Sequence, residues 1–580
     1  MRVVTIILLF AMMSGPGCKK NLLETAPSSD ISTTTAWTTD GLTDQGVTGV
    51  YAALRQSNVI GGNGMTYGSV LSPGLYSTDA FGLSTQSLGS FSDLNNGTAH
   101  TAADLFSRTW SQLYEGIGRA NDAITNIPGK SPSDPRKKAR YIAECKFLRA
   151  YFYYRLNQVF EGVPIYLAPV AFDQFTRPRY SADDVWDVII RDLSAAINEE
   201  QLPLSYPAGN PNYGHITKGA AYALRGKVYM YQKKWDLAIA DFEQVKTAGY
   251  RIFTGAGTDS YKMLFKEANE QCPEMIFSMQ NIDKAGYGGD ISFYCGSAAT
   301  WGGAIGLYSA APNLVDLYEN KDGSKFNWDQ AIPGYNQMPP AAREVYFIRN
   351  GATPDELQAA AARGADISQY LPDGNEQRIL KAYTNRDPRL NQTIITPYAA
   401  YLGAPIGQSP DLTYTFRWPF RDDQPPVQDL QPGVYPEFYC PYLFRKFVYE
   451  GSAEANSANQ SPIDFPIIRY AEVALLWAEA LNEKDGVSQD AIDLVNEARS
   501  RAGIAPLQIT NASLPTFVSN PADLRNRIRN EFRVEFPNEG INYFNELRWR
   551  TLKDVKFTPQ NGIKQPWGSV LLPYVWPGDQ

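Results

Sequence analysis

Histidine is almost missing from this 580-residue chain: only His100 and His215 are present, far apart. A zinc hydrolase or a Ser-His-Asp enzyme is hard to assemble from such a pair. Cysteine is scarce as well. Cys18, Cys145, Cys272, Cys295 and Cys440 contain no Cys-x-x-Cys pair, so no zinc or redox motif is expected. Positive charge is in deficit, with 53 Lys and Arg against 61 Asp and Glu and a formal net charge of −8. That balance argues against a nucleic-acid binder, because nothing basic is left over to neutralise phosphates. No Walker A run, no dinucleotide Gly-x-Gly-x-x-Gly and no Gly-x-Ser-x-Gly elbow is found. No cofactor and no metal are expected. Asn320-Lys321-Asp322-Gly323 has part of a calcium-loop pattern, but Tyr318 fills the first ligand position, and a turn accounts for it.

The N-terminus carries more information. Arg2 is followed by an apolar run from Val3 to Met13, broken only by Thr5. It is too short to span a bilayer and suits the core of an export signal. Ser14-Gly15-Pro16-Gly17 is small and turn-forming, as a peptidase needs before its cut, and Cys18 stands where a lipid acceptor would. Residues 1–17 are therefore expected to be a signal peptide, and 18–40 a lipid anchor and tether at a membrane. Ordinary cleavage to a soluble secreted chain is the alternative.

Aromatic residues reach 13%, including 35 Tyr and 11 Trp. Such a load suits recognition of flat, partly apolar ligands, although a large core absorbs much of it. From 41 to 250 the pattern is helical. Leu105, Trp110, Leu113, Ile117, Ala120 and Ile124 recur at helical spacing after a capping box at Thr101–Asp104. Ile142, Cys145, Leu148, Phe152, Leu156 and Val159 form the next stripe, with Cys145 expected as a buried free thiol. Ser181-Ala182-Asp183-Asp184 caps a third helix, and helices through 218–231 and 235–245 follow. The pairs are similar in size and place small residues at crossings, which points to degenerate tetratricopeptide-like repeats. From 251 to 450 Gly, Pro and aromatics replace periodicity, so a loop-rich insertion with short helices and hairpins is expected. Helical pattern returns at 466–505 and 520–535, within a C-terminal part spanning 451–580 that could close the array. The fold class is mainly α.

Several separated blocks carry a family resemblance. They are Asn21-Leu22-Leu23-Glu24-Thr25-Ala26-Pro27 after the cysteine; Trp110 to Tyr114 with Ile117 to Asn121; Ala143 to Tyr151 with Val163-Pro164; and Lys218 to Ala221 with Leu224. Asn385-Arg386-Asp387-Pro388-Arg389-Leu390 follows, then Arg469 to Val473 with Ala478-Glu479-Ala480, and Val495 to Arg499 with Arg501-Ala502-Gly503. In this order they resemble the SusD/RagB family of outer-membrane nutrient-binding lipoproteins. The resemblance implies a non-enzymatic protein on the outer membrane of Bacteroidetes. It implies capture of an oligosaccharide, or sometimes a peptide, and delivery to a SusC-like TonB-dependent transporter. Near the C-terminus Asn542 stands where the family usually has Arg.

The charged residues of these blocks, Arg149, Arg386, Arg389, Arg469, Glu472 and Glu479, read as ion pairs locking helices together. A glycosidase would need two carboxylates flanking a cleft. Sugar recognition needs an exposed aromatic face with polar groups at its edge. Trp301 before Gly302-Gly303 and Tyr287 between two glycines are the leading candidates, followed by Tyr294 and Tyr76, with Asp79 and Asn95 as polar partners. A peptide-capturing RagB-like protein and a surface glycoside hydrolase are the alternative functions.

Overall fold

The computed structural model describes residues 36–60, 80–82, 104–300, 304, 306, 308–404, 411–421, 427–431, 441–452, 460–556 and 567–568. Among the described residues the first half holds six long helices: α1 (Asp40–Ala52), α2 (Asp104–Lys130), α3 (Pro135–Phe160), α4 (Ala182–Asn198), α5 (Lys218–Tyr231) and α6 (Trp235–Thr247). Several begin where local chemistry favours it. Asp134 accepts from the N–H groups of Arg136 and Lys137, and Pro135 opens α3 without needing a donor. Ser181 and Asp184 close a reciprocal capping box at α4.

From α2 to α6 each helix packs on its neighbour in sequence, and α3 is the central member. Cys145, Leu148, Phe152 and Leu156 are all fully buried on it. Burial without a partner pushes the Cys145 thiol well up, and the thiol is free. Trp110 departs from its expected place in the α2 stripe. It is exposed at 37% and leans edge-on against Phe160, while Leu113, Ile117 and Ala120 take the core. Close crossings depend on glycine: a Cβ at Gly226 of α5 would collide with the Phe242 ring of α6.

Among the described residues the C-terminal part supplies four further helices of eight residues or more: α7 (Tyr470–Asp485), α8 (Gln489–Ala502), α9 (Pro521–Glu535) and α10 (Asn542–Trp549). Helix α7 docks on α6 as well as on α8 and α9, so the last helices continue the same array and share its core. The helical pattern expected from residue 466 begins later. Phe465–Arg469 is a strand, because it pairs antiparallel with Met275–Met279.

Strands are few. β1 (Ala80–Gly82), β3 (Tyr308–Ala310), β8 (Leu443–Phe444) and β4 (Ile394–Ile395) form one antiparallel sheet in the order β1-β3-β8-β4. β2 (Met275–Met279) pairs with β9 (Phe465–Arg469). β5 (Ala400–Gly403) pairs antiparallel with β6 (Leu412–Thr415), which runs parallel to β7 (Val427–Asp429). Short helices and the other two sheets enclose a second core, with Leu314, Tyr318, Leu390, Tyr442 and Phe444 fully buried, while Phe277, Met279, Phe465 and Ile468 of the β2–β9 pair join the first core.

A buried ionic network joins the two cores. Arg469 donates to Glu274 at 2.8 Å, to Glu535 at 2.7 Å and to Glu539 at 2.7 and 2.8 Å. Arg501 binds Glu274 and Glu535; Arg389 binds Asp387, Glu531 and Glu535; and Arg499 binds Glu319 and Glu531. Burial pushes the Glu535 carboxyl up, yet Arg501, Arg469 and Arg389 together hold it well below the usual carboxylate range. Burial lowers Lys446 to about 8, with Glu539 at 2.5 Å opposing that shift.

Candidate functional site

Among the described residues Phe175, Tyr287, Tyr180 and Trp110 are exposed aromatics. Tyr287 is the one of these that the sequence singled out as a stacking candidate, and β2 and β9 position it. After β2 the chain leaves the sheet at Gln280 and returns at Gly289. Both ends of this excursion are fastened to the segment before β9. The Asn281 side chain donates to the Ile463 carbonyl at 2.7 Å, and its backbone N–H donates to Asp464 Oδ1 at 2.7 Å. Gly289 and Ser461 exchange two backbone hydrogen bonds, of 2.8 and 3.1 Å.

The two glycines beside Tyr287 do different work. Gly286 takes a left-handed turn at φ 84°, which a side chain disfavours. Gly288 crosses the backbone so closely that a Cβ would collide with Gln460 Cα. Between them, Tyr287 N–H donates to the Lys284 carbonyl and its own carbonyl accepts from Ile282 N–H. The result is a tight loop presenting Tyr287, 50% exposed, and Ile282, 54% exposed. Arg55 at the end of the α1 segment and Lys284 within the loop lie against the ring, at 5.9 and 5.2 Å from its centroid. Arg55 is fixed there by donating to Asn281 Oδ1 at 3.2 Å and to the Gln280 carbonyl. An aromatic face rimmed by donors can stack on the C–H face of a sugar and bind its hydroxyls.

Two carboxylic acids lie beneath the loop. Asp464 N–H donates to Glu270 Oε1 at 2.6 Å. Burial raises Asp464 to about 7, against the pull of Asn281, Ser278 and Arg55. Burial, then the Asp464 charge, raises Glu270 to about 8. The loop is therefore held by acids that titrate near neutrality.

The other charged candidates are structural. Arg149 forks onto Asp192 at 2.7 and 2.8 Å. Glu472 pairs with Lys227 at 2.6 Å, and Glu479 with Arg548 at 2.7 Å. Arg386 differs from the expected ion pair. Its guanidinium donates to the carbonyls of Val315, Tyr318 and Ala382 and stacks on Phe326 at 3.5 Å. His215 lies 2.9 Å from Glu144, which also accepts from Tyr51, so it pins the loop before α5. Asn320 to Gly323 forms a turn, with Gly323 at φ 82°. Among the described residues no three His, Cys, Asp or Glu side chains gather as metal ligands.

Tyr294 is corrected by the structure. It sits on the short helix Ile291–Cys295, is only 4% exposed, and faces the second core beside Phe293. It offers no stacking face, because the helix turns it inward. Trp301, Tyr76, Asp79, Asn95 and the lipid acceptor Cys18 lie outside the described residues. Sequence reasoning missed Arg55, Asp464 and Glu270. No local motif marks them, since each meets the loop only through the fold.

A model described as SusD family matches residues 273–569, just over half of the chain. This chain belongs to the SusD family. A second model, described as starch-binding associating with outer membrane, matches residues 23–230. Among curated relatives, SusD-like protein P38 of Formosa agariphila is 23% identical over 97% of this chain and 94% of its own length. SusD-like protein P25 of the same organism is 24% identical over 47% of this chain, and that match spans 51% of P25. Two solved structures from Bacteroides fragilis share the fold. A SusD-like protein matches with TM-score 0.67 and 22% identity over 91% of this chain and 89% of its own. A SusD-like carbohydrate binding protein matches with TM-score 0.67 and 24% identity over 90% and 88%. A laminarin binding SusD-like protein matches with TM-score 0.60 and 20% identity over 91% and 95%. These likenesses agree with the mainly helical, repeat-like architecture read from the sequence. Among the described residues no helix is long and apolar enough to cross a membrane.

Proposed function

We propose that this chain is a cell-surface glycan-binding lipoprotein, anchored through Cys18, that captures an oligosaccharide and passes it to a SusC-like TonB-dependent transporter without chemistry. The observation that carries the reading is Tyr287, half exposed on a loop fastened at both ends and flanked by Arg55 and Lys284. The relatives support the ligand class: one solved neighbour binds laminarin, another carries a carbohydrate-binding description, and one family model is described as starch-binding. The non-enzymatic part rests on the carboxylates. Glu472 and Glu479 are locked in ion pairs within helix packing, where they cannot flank a glycosidic bond.

Affinity electrophoresis of the full chain through a panel of polysaccharides, with reducing-end analysis of the same samples, tests this reading. Retardation by one neutral glycan without new reducing ends is expected. Tyr287→Ala should lose about tenfold or more of that affinity, the scale of one stacked aromatic contact, with its thermal unfolding unchanged. New reducing ends would replace capture by hydrolysis. Undiminished binding by the Tyr287 variant would remove this loop from the site.

A further inference from the structure

A cleft of about 660 Å³ opens where the end of α3, the start of α4, the end of α5 and α10 meet. None of its lining residues belongs to the Tyr287 loop. Its walls are aromatic: Phe160, Trp186, Tyr231 and Tyr543 line it, and the Trp186 and Tyr231 rings lie 5.1 Å apart at 31°. Its charge is predominantly positive. Arg179, Lys233 and Arg550 are exposed lining residues. Lys233 and Arg550 sit in left-handed backbone conformations at helix ends, φ 56° and 58°. Neither side chain has an ion-pair partner among the described residues, and Arg179 donates only to the carbonyls of Phe160 and Glu161. Glu161 is the single carboxylate in the lining, while Arg548 is already paired with Glu479.

A second observation lies behind the wall. A small cavity shares Gln158, Tyr231, Phe544 and Arg548 with the cleft, and Arg155 lines it. Arg155 is 6% exposed and stacks on Phe544 at 4.3 Å. It donates to Gln158 Oε1 at 2.8 Å, has no carboxylate partner among the described residues, and leaves Nη2 without an acceptor. Asn545 Nδ2, lining the same cavity, also lacks one. Glu472 and Glu539 line this cavity as well, but Glu472 is paired with Lys227 and Glu539 with Lys446 and Arg469, so Arg155 keeps no ion pair of its own. Leaving a buried guanidinium unpaired is costly. In a chain of net charge −8, this concentration of unpaired cations is local and specific.

We propose that this cleft is a second saccharide site, selective for an anionic sugar. The aromatic wall takes the C–H face of a ring, and Lys233, Arg550 and Arg179 take its carboxylate or sulfate ester. The site stands independently of the Tyr287 surface.

Calorimetric titration of the full chain with trigalacturonate, a sulfated carrageenan tetrasaccharide and neutral maltotriose tests it. At least one of the anionic probes should bind more tightly than maltotriose, and its affinity should fall as salt screens the cations. Binding of trigalacturonate alone assigns a carboxylate, and binding of the carrageenan alone assigns a sulfate ester. Lys233→Gln with Arg550→Gln should weaken the preferred probe about tenfold or more, as expected for lost charge-assisted contacts, while Tyr287→Ala leaves it unchanged. The proposal is overturned if neither anionic probe exceeds maltotriose, if the double variant binds as well as the parent, or if Tyr287→Ala abolishes anionic binding.

Discussion

Two carboxylic acids, Asp464 and Glu270, show how single residues tie this surface to pH. Both have folded-state values raised above their ordinary ones, to about 7 and about 8, chiefly by burial. A group raised on folding contributes stability that is complete below its unfolded value and lost as pH rises through its folded value. The thermal midpoint should therefore fall between pH 6 and pH 8 as these acids ionise in place. Asp464→Asn keeps an acceptor for the Asn281 N–H and removes the charge. Its midpoint should change less over that interval, and scanning calorimetry of parent and variant at pH 6, 7 and 8 checks this. An equal slope in both would assign the pH dependence to other groups. Tyr287 and Tyr294 make a related point about exposure. Both are tyrosines near glycines in one irregular segment, yet one is half exposed and the other buried.

Elements pack here by bringing backbones close. Gly226 of α5 lies under the Phe242 ring of α6, and Gly116 of α2 lies under the Phe152 ring of α3. Glycine is unfavourable inside a helix, so its presence at both crossings reflects space rather than propensity. Gly226→Val should destabilise the protein by about 1–3 kcal/mol through overpacking. Phe242→Leu in the same chain should return part of that loss, since the two residues share one contact. Urea unfolding of both single variants and the double variant measures the coupling. Additive losses would show that the crossing does not depend on this pair.

At the scale of the whole molecule, Arg469 bridges Glu274 beside β2 to Glu535 and Glu539 near the C-terminus. Removing one member of a buried ionic network leaves its partners without compensation, which typically costs about 3–5 kcal/mol. Arg469→Met should lose stability on that scale in equilibrium unfolding, although a Met fills much of the space. A loss of less than about 1 kcal/mol, the range of exposed pairs, would mean that the network is solvated. The helical array was legible at this scale because its stripes recur within single helices, as in Cys145, Leu148, Phe152 and Leu156. The irregular half was legible only as a texture. Its strands are two to five residues long and draw their partners from distant segments, as Ala80–Gly82 does from Tyr308–Ala310.

The sequence by itself determined the helices, with the caps at Ser181 and Asn520 while the box expected at Thr101 lies outside the described residues, and also the scarcity of histidine and cysteine, the family, and the charged residues that would be structural. These depend on neighbours three or four positions away, or on side-chain chemistry alone. Only the tertiary structure decided which charge meets which. Arg469 finds Glu274 across 195 positions of chain, Arg386 finds carbonyls instead of a carboxylate, and residues 465–469 pair as a strand where helix was expected. It also decided that Tyr287 is presented while Tyr294 is withdrawn, and that Lys233 and Arg550 face one cleft. Burial and partnership are set by long-range packing, and no local pattern encodes them.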